Sequence, residues 1–244
     1  MRRRTGRSVP TTAQIVSLLE SAADHLPDAA AAGAVYGELN ELLKGEAGVR
    51  ALLADHDLPQ QISGHLAGTT AQADQIEAEI GAGIGDNLEE RNHALTVLRD
   101  AVWAIERDRL RTAREVAALA RPDAGGAALA AYLSIQQSLS ALDRLEVRGR
   151  DSAGLHVLIR NHHLDLDDPE IAAMVAERRD SSPLFTHTAV RTPDGLLSFV
   201  YKAAAEIGEL GDNTAAMRAA ITSDELLQLA LASPDAQATV LGHT

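Results

Sequence analysis

A few short stretches of this chain gather side-chain types that chemistry uses. Residues 145–159, Leu-Glu-Val-Arg-Gly-Arg-Asp-Ser-Ala-Gly-Leu-His-Val-Leu-Ile, set Arg148, Gly149, Asp151 and Ser152 in a turn, directly before an apolar, β-branched run. Taken alone, such an Arg-Gly turn caps a helix ahead of a strand and does no chemistry. Residues 161–168, Asn-His-His-Leu-Asp-Leu-Asp-Asp, bring together His162, His163, Asp165, Asp167 and Asp168, all metal-ligand types. No matching ligand cluster lies elsewhere in the chain. The stretch therefore reads as a polar loop whose last aspartate caps a helix opened by Pro169. Gly81, Gly83 and Gly85 are spaced like a phosphate loop, but no strand precedes them and no Lys-Ser/Thr follows. With no cysteine in the chain there is no thiol nucleophile, thiolate metal site or disulfide.

The elements around these stretches follow from periodicity. Thr11 and Thr12 open a helix with Ile15, Leu18, Leu19 and Ala22 on one face, and Asp28 opens another through Val35, Leu39 and Leu42. A short helix spans about 48–55, and a polar stretch with Pro59, Gly64 and Gly68 precedes another helix over about 70–80. From Asp86 a helical stripe runs unbroken to the Pro122-Asp123-Ala124-Gly125-Gly126 turn, and a second long helix covers about 127–145. Two long amphipathic helices with a short connection predict an antiparallel hairpin. The single Trp103 is placed on its apolar stripe, in the core.

Beyond the Arg-Gly turn the period changes. Strands are predicted at 153–159, 196–203 and 238–241, with helices at 168–178, 212–221 and 223–231. Ser223 is the expected cap of the last helix. The chain is thus helical to about residue 145 and mixed after it.

Bulk composition narrows the function classes. The 244 residues are 45% hydrophobic and 23% charged, which suits a globular protein with a sizeable core. Only 2% are aromatic, so that core is expected from Leu, Ala, Val and Ile. A net charge of −13 argues against nucleic acid as a partner, because phosphate neutralisation needs a basic face. Arg2, Arg3, Arg4 and Arg7 are followed by no apolar segment, and no apolar run approaches the roughly 20 residues of a membrane span. A cytoplasmic setting without membrane contact is the expectation.

The Leu145–Gly154 stretch resembles the Leu-Glu-Tyr-Arg-Gly-x-Asp-Ser-Ala-Gly segment of class II glutamine amidotransferases, in particular the glutamine–fructose-6-phosphate aminotransferase (glucosamine-6-phosphate synthase) family. Arg148, Gly149, Asp151, Ser152, Ala153 and Gly154 fall in register with it. The strand with Tyr201 and Lys202, Gly208 and the helix from Asn213 to Ile221 resemble the family's next elements. Val240-Leu241-Gly242-His243-Thr244 resembles the start of its Gly-His-Thr-Arg-Trp-Ala motif. The resemblance covers roughly residues 138–244.

The resemblance implies an α+β fold, part of the αββα sandwich of N-terminal-nucleophile hydrolases. Residues 1–10 become an N-terminal segment, 11–137 a large all-helical insertion and 138–244 a partial amidotransferase domain. It implies a reaction in which an N-terminal cysteine thiol attacks the side-chain amide of glutamine, with the α-amino group as general base. The ammonia passes to fructose 6-phosphate on a separate isomerase domain, with no cofactor. Arg148 would then sit beside the nucleophile, where a planar, permanently charged fork orients the site. Gly149 would permit close backbone approach, and Asp151, followed by Ser152, would hold the turn. Gly242, His243 and Thr244 would lead into the arginine that holds the glutamine carboxylate.

This chain departs from the pattern. The family begins Met-Cys-Gly-Ile, whereas this chain begins Met1-Arg2-Arg3-Arg4. The carboxylate-holding arginine, the oxyanion Asn-Gly pair and the isomerase domain all fall outside it. The expectation is a fragment of a homo-oligomeric aminotransferase, inactive alone for want of its nucleophile. The alternatives are a helical scaffold that binds partners through an apolar stripe and carries a remnant half-domain, or a sugar-phosphate-sensing module.

Overall fold

The computed structural model describes residues 7–145, 152–180, 188–204 and 209–244. The chain divides into two compact units, Met1–Arg114 and Glu115–Thr244. The division falls at Glu115 rather than between 137 and 138, because the helix over 126–145 belongs to the sheet-bearing unit.

The first unit is helical: α1 (Thr12–Asp24), α2 (Ala29–Leu42), α3 (Gly45–Ala54), α4 (Leu58–Gly81) and α5 (Leu88–Trp103), continued by a π-helical stretch at Ala104–Leu110. Its starts are capped locally. The Thr11 hydroxyl accepts from the Gln14 amide while the Gln14 side chain accepts from the Thr11 amide, a complete capping box. Asp28 accepts from the amides of Ala30 and Ala31 at the head of α2. Leu19, Leu39, Leu58, Ile62 and Leu98 close the core around Tyr36, which is fully buried. The Tyr36 hydroxyl lies 2.5 Å from Thr69 Oγ1. Thr69 directs its own proton to the His65 carbonyl at 3.0 Å, so Tyr36 is the donor, and α2 is tied to α4.

Helix α4 is about three turns longer than its sequence pattern predicts, starting at Leu58 and not near Thr70. Pro59 sits in its first turn, where the missing N–H costs nothing. Gly64 and Gly68 each cost about 1 kcal/mol. Burial of Leu58, Ile62 and Leu66, worth about 1.5–3 kcal/mol each, outweighs them.

The second unit holds α6 (Arg111–Leu119, which straddles the division), α7 (Gly126–Leu145), β1 (Ala153–Arg160), α8 (Pro169–Asp180), β2 (Thr188–Arg191), β3 (Leu197–Ala203), α9 (Asp212–Thr222), α10 (Glu225–Leu231) and β4 (Gln237–His243). Among the described residues the strands form one four-stranded antiparallel sheet in the order β2-β3-β1-β4. The fold is α+β. Leu155 pairs with Tyr201, Val157 with Phe199 and Ile159 with Leu197, so one face of the sheet is continuously apolar and buried. Helices α7 and α9 pack on the sheet. They are joined by Thr214 donating to Asp143 and by Arg218 donating to Gln136. On the opposite face, His156, Leu158 and Val200 are half-buried and Leu241 is exposed.

Helix α5 packs against α2 and α4, while α7 lies on β4 and β1 and meets α6 across the 120–125 turn, where Gln136 donates to Glu115. One expectation is corrected here. Trp103 is 59% exposed. The buried stripe runs through Leu95, Leu98, Val102, Ile105 and Leu110, and the five-residue step across the π-helical stretch keeps it on one face. Trp103 lies a third of a turn off that line. Among the described residues no helix is long and apolar enough to cross a membrane.

Candidate functional site

Arg148, Gly149, Asp151 and Gly208 lie outside the described residues. Ser152 is exposed and immediately precedes β1. Gly242 and His243 close β4, with Thr244 following. The antiparallel register sets Gly154 opposite His243 and Leu155 opposite Gly242. Two motifs about ninety residues apart in sequence are thereby brought side by side at one end of the sheet.

The pairing is close. A Cβ on Gly154 would lie 2.3 Å from His243 Nε2 and 2.6 Å from its Cε1, so the imidazole occupies the space a side chain would need. On the other ladder Gly154 pairs with Lys202, which is exposed. The same end of the sheet thus presents an imidazole and an ammonium group over bare backbone. A Cβ on Gly242 would meet the Leu142 side chain at 3.3 Å, so that glycine lets β4 settle onto α7.

Sequence reasoning missed a second polar pair on this sheet. His156 Nε2 lies 2.8 Å from Ser198 Oγ, diagonally across β1 and β3. A histidine within reach of a serine hydroxyl meets one requirement of an activated nucleophile, but among the described residues no third group orients the His156 ring. Forty-two residues separate the pair, and only strand register brings them together.

Beneath the apolar face lies a buried ionic cluster. Asp224 Oδ2 accepts from Tyr201 Oη at 2.6 Å and from Arg178 Nη1 at 2.7 Å, while its Oδ1 accepts from the Leu227 amide and caps α10. Asp224, and not Ser223, is therefore the cap; Ser223 ends α9. The Arg178 guanidinium also stands 5.3 Å over the Phe199 ring, and Phe199 stacks on Tyr201. Burial pushes the Tyr201 phenol well above its ordinary value, and the Asp224 carboxylate pushes it further. This arrangement locks α8, β3 and α10 together.

The histidine-rich loop is structural where it is buried. His162 Nδ1 accepts from the Leu164 amide at 3.1 Å, so Nε2 carries the proton and donates to the Gly195 carbonyl at 2.9 Å. Asp168 Oδ1 accepts from the Glu170 and Ile171 amides and caps α8. His163 and Asp235, both exposed, come no closer than 3.6 Å. Among the described residues no three His, Asp or Glu side chains converge as metal ligands.

Compared with family models, curated proteins and solved structures, the chain has no match.

Proposed function

We propose that residues 138–244 are the helix-covered sheet of a glutaminase domain of class II glutamine amidotransferase type, working in a glutamine–fructose-6-phosphate aminotransferase. The observation that carries this reading is the juxtaposition of Ser152–Gly154 with Gly242–Thr244 at one end of β1 and β4. These are the two segments whose sequences resemble the family's site motifs. A reading based on chance likeness of two short motifs has no reason to find them paired.

The sheet's construction is consistent with it. One face carries helices, and the other leaves Leu241 exposed, which is the surface a second sheet of an αββα sandwich would cover. In this reading Arg148 orients the nucleophile and Gly149 allows the backbone to approach it. Asp151 and Ser152 hold the turn, and Gly242, His243 and Thr244 deliver the strand that grips glutamine. Ammonia released there serves amino-sugar phosphate synthesis on fructose 6-phosphate. The 244 residues contain no cysteine, so by themselves they form no thioester and release no ammonia from glutamine.

The test is the nucleotide sequence flanking this reading frame, followed by a glutaminase assay of the protein it encodes. The expected result is Met-Cys-Gly in frame upstream, Arg-Trp directly after the Thr244 codon, and ammonia release lost on Cys→Ala substitution. Stop codons closing the frame at both ends, or glutamine hydrolysis by the cysteine-free chain, would overturn the reading.

A further inference from the structure

We infer that the cavity at the start of α7 binds a small organic carboxylate with an apolar body. The cavity measures about 380 Å³, at the small end of ligand-sized pockets. Its rim carries Arg121 and Gly125, its inner wall is Tyr132, and Leu229, Leu231 and Ala232 supply an apolar side.

Two independent features point to an anionic group. The first is the head of α7, a 20-residue helix whose first-turn amides have no partner within the helix and whose dipole is positive at that end. Gly125 leaves the approach open, since a Cβ there would meet nothing within 4 Å. The second is Tyr132. The residue is 2% exposed, yet its hydroxyl has no hydrogen-bond partner among the described residues. Tyr132 lines the cavity with its hydroxyl closed off, so a small turn of the ring toward the cavity gives this unpaired donor a ligand oxygen.

Arg121 completes the set. It is exposed and pairs with Asp123 at 3.4 Å, an ion pair weak enough to be exchanged for a ligand carboxylate. Its fork matches a carboxylate bidentately. The Asp123 carboxylate at the same rim disfavours a doubly charged phosphate, and the leucine and alanine side accommodates an alkyl chain. The Arg121 guanidinium is near enough to lower the Tyr132 phenol pKa, although burial and Asp224 raise it overall.

The inference is independent of the glutaminase reading and is tested on the 244-residue chain by calorimetric titration with octanoate. Expected are saturable one-site binding and an affinity for octanol at least about tenfold weaker. Arg121→Gln should weaken octanoate by about tenfold and Tyr132→Phe by a few-fold. Arg121 is exposed and the Tyr132 hydroxyl is unpaired, so both variants keep the wild-type circular dichroism. Absence of saturable binding, equal affinity for octanoate and octanol, or indifference to Arg121→Gln would overturn the inference. Displacement of octanoate by inorganic phosphate at similar concentration would overturn the carboxylate assignment.

Discussion

Gly154 and His243 face each other across the β1–β4 ladder, and the His243 ring lies where a Gly154 side chain would be. The contact is with the far end of an exposed side chain, so Gly154→Ala displaces the imidazole without breaking the sheet. The expected change in stability is under about 1 kcal/mol, since the alanine also restricts the unfolded chain. His243 imidazole resonances should nevertheless shift in the NMR spectrum. A large loss of stability would mean that His243 is held rigidly by something further.

Gly48 is the contrasting case. A Cβ there would lie 1.9 Å from the Leu43 carbonyl oxygen, which is backbone and cannot swing away. Gly48→Ala should therefore cost about 3 kcal/mol through overpacking, read as a lowered urea midpoint of the helical unit.

Asp224 anchors three elements at once. Asp224→Asn leaves the largely buried Arg178 without its counter-charge, and the expected loss is about 3–5 kcal/mol. Tyr201→Phe removes one donor but leaves the Arg178 pair, so about 1–2 kcal/mol is expected. Urea denaturation of the two variants distinguishes these magnitudes, and equal losses would show that the ion pair adds nothing.

The tyrosines should set an alkaline limit. Burial raises the phenols of Tyr36 and Tyr201, and Tyr132 is pushed up to about 12. Below the ordinary value of 10 both folded and unfolded phenols hold their protons, and the contribution to stability is fully present. As pH rises past 10 the unfolded chain releases protons that the folded chain keeps, so stability falls. The slope should approach about 1.4 kcal/mol per pH unit for each tyrosine, hence twice that for the sheet-bearing unit, which contains Tyr132 and Tyr201. Spectrophotometric titration should show tyrosinate in urea near 10, and in buffer only well above it.

Trp103 provides a direct check on the π-helical stretch. As the only tryptophan and 59% exposed, it should emit at the wavelength of a solvated indole and be quenched efficiently by acrylamide. Blue-shifted, protected emission would put it back on the core stripe.

Local chemistry was legible from residue order alone. Thr11, Asp28 and Asp168 head their helices as their side chains require, and the strands expected at 153–159 and 196–203 are the paired β1 and β3. The two motifs that carry the functional reading were visible as words in the sequence. What lay beyond it depended on contacts between distant residues. Strand β2 is four residues long, too short for a period to register, and is held by β3. Helix α4 runs through glycines that a local reading takes for breakers, because burial of Leu58, Ile62 and Leu66 repays them. The polar pair of His156 and Ser198, the anchor of Arg178 on Asp224 and the cavity beside Tyr132 each join residues dozens of positions apart. Residue order determined which segments could become helices and strands and which bore motif chemistry. Tertiary packing decided which of those segments meet, because burial and strand register act between residues whose separation in sequence carries no record of their distance in space.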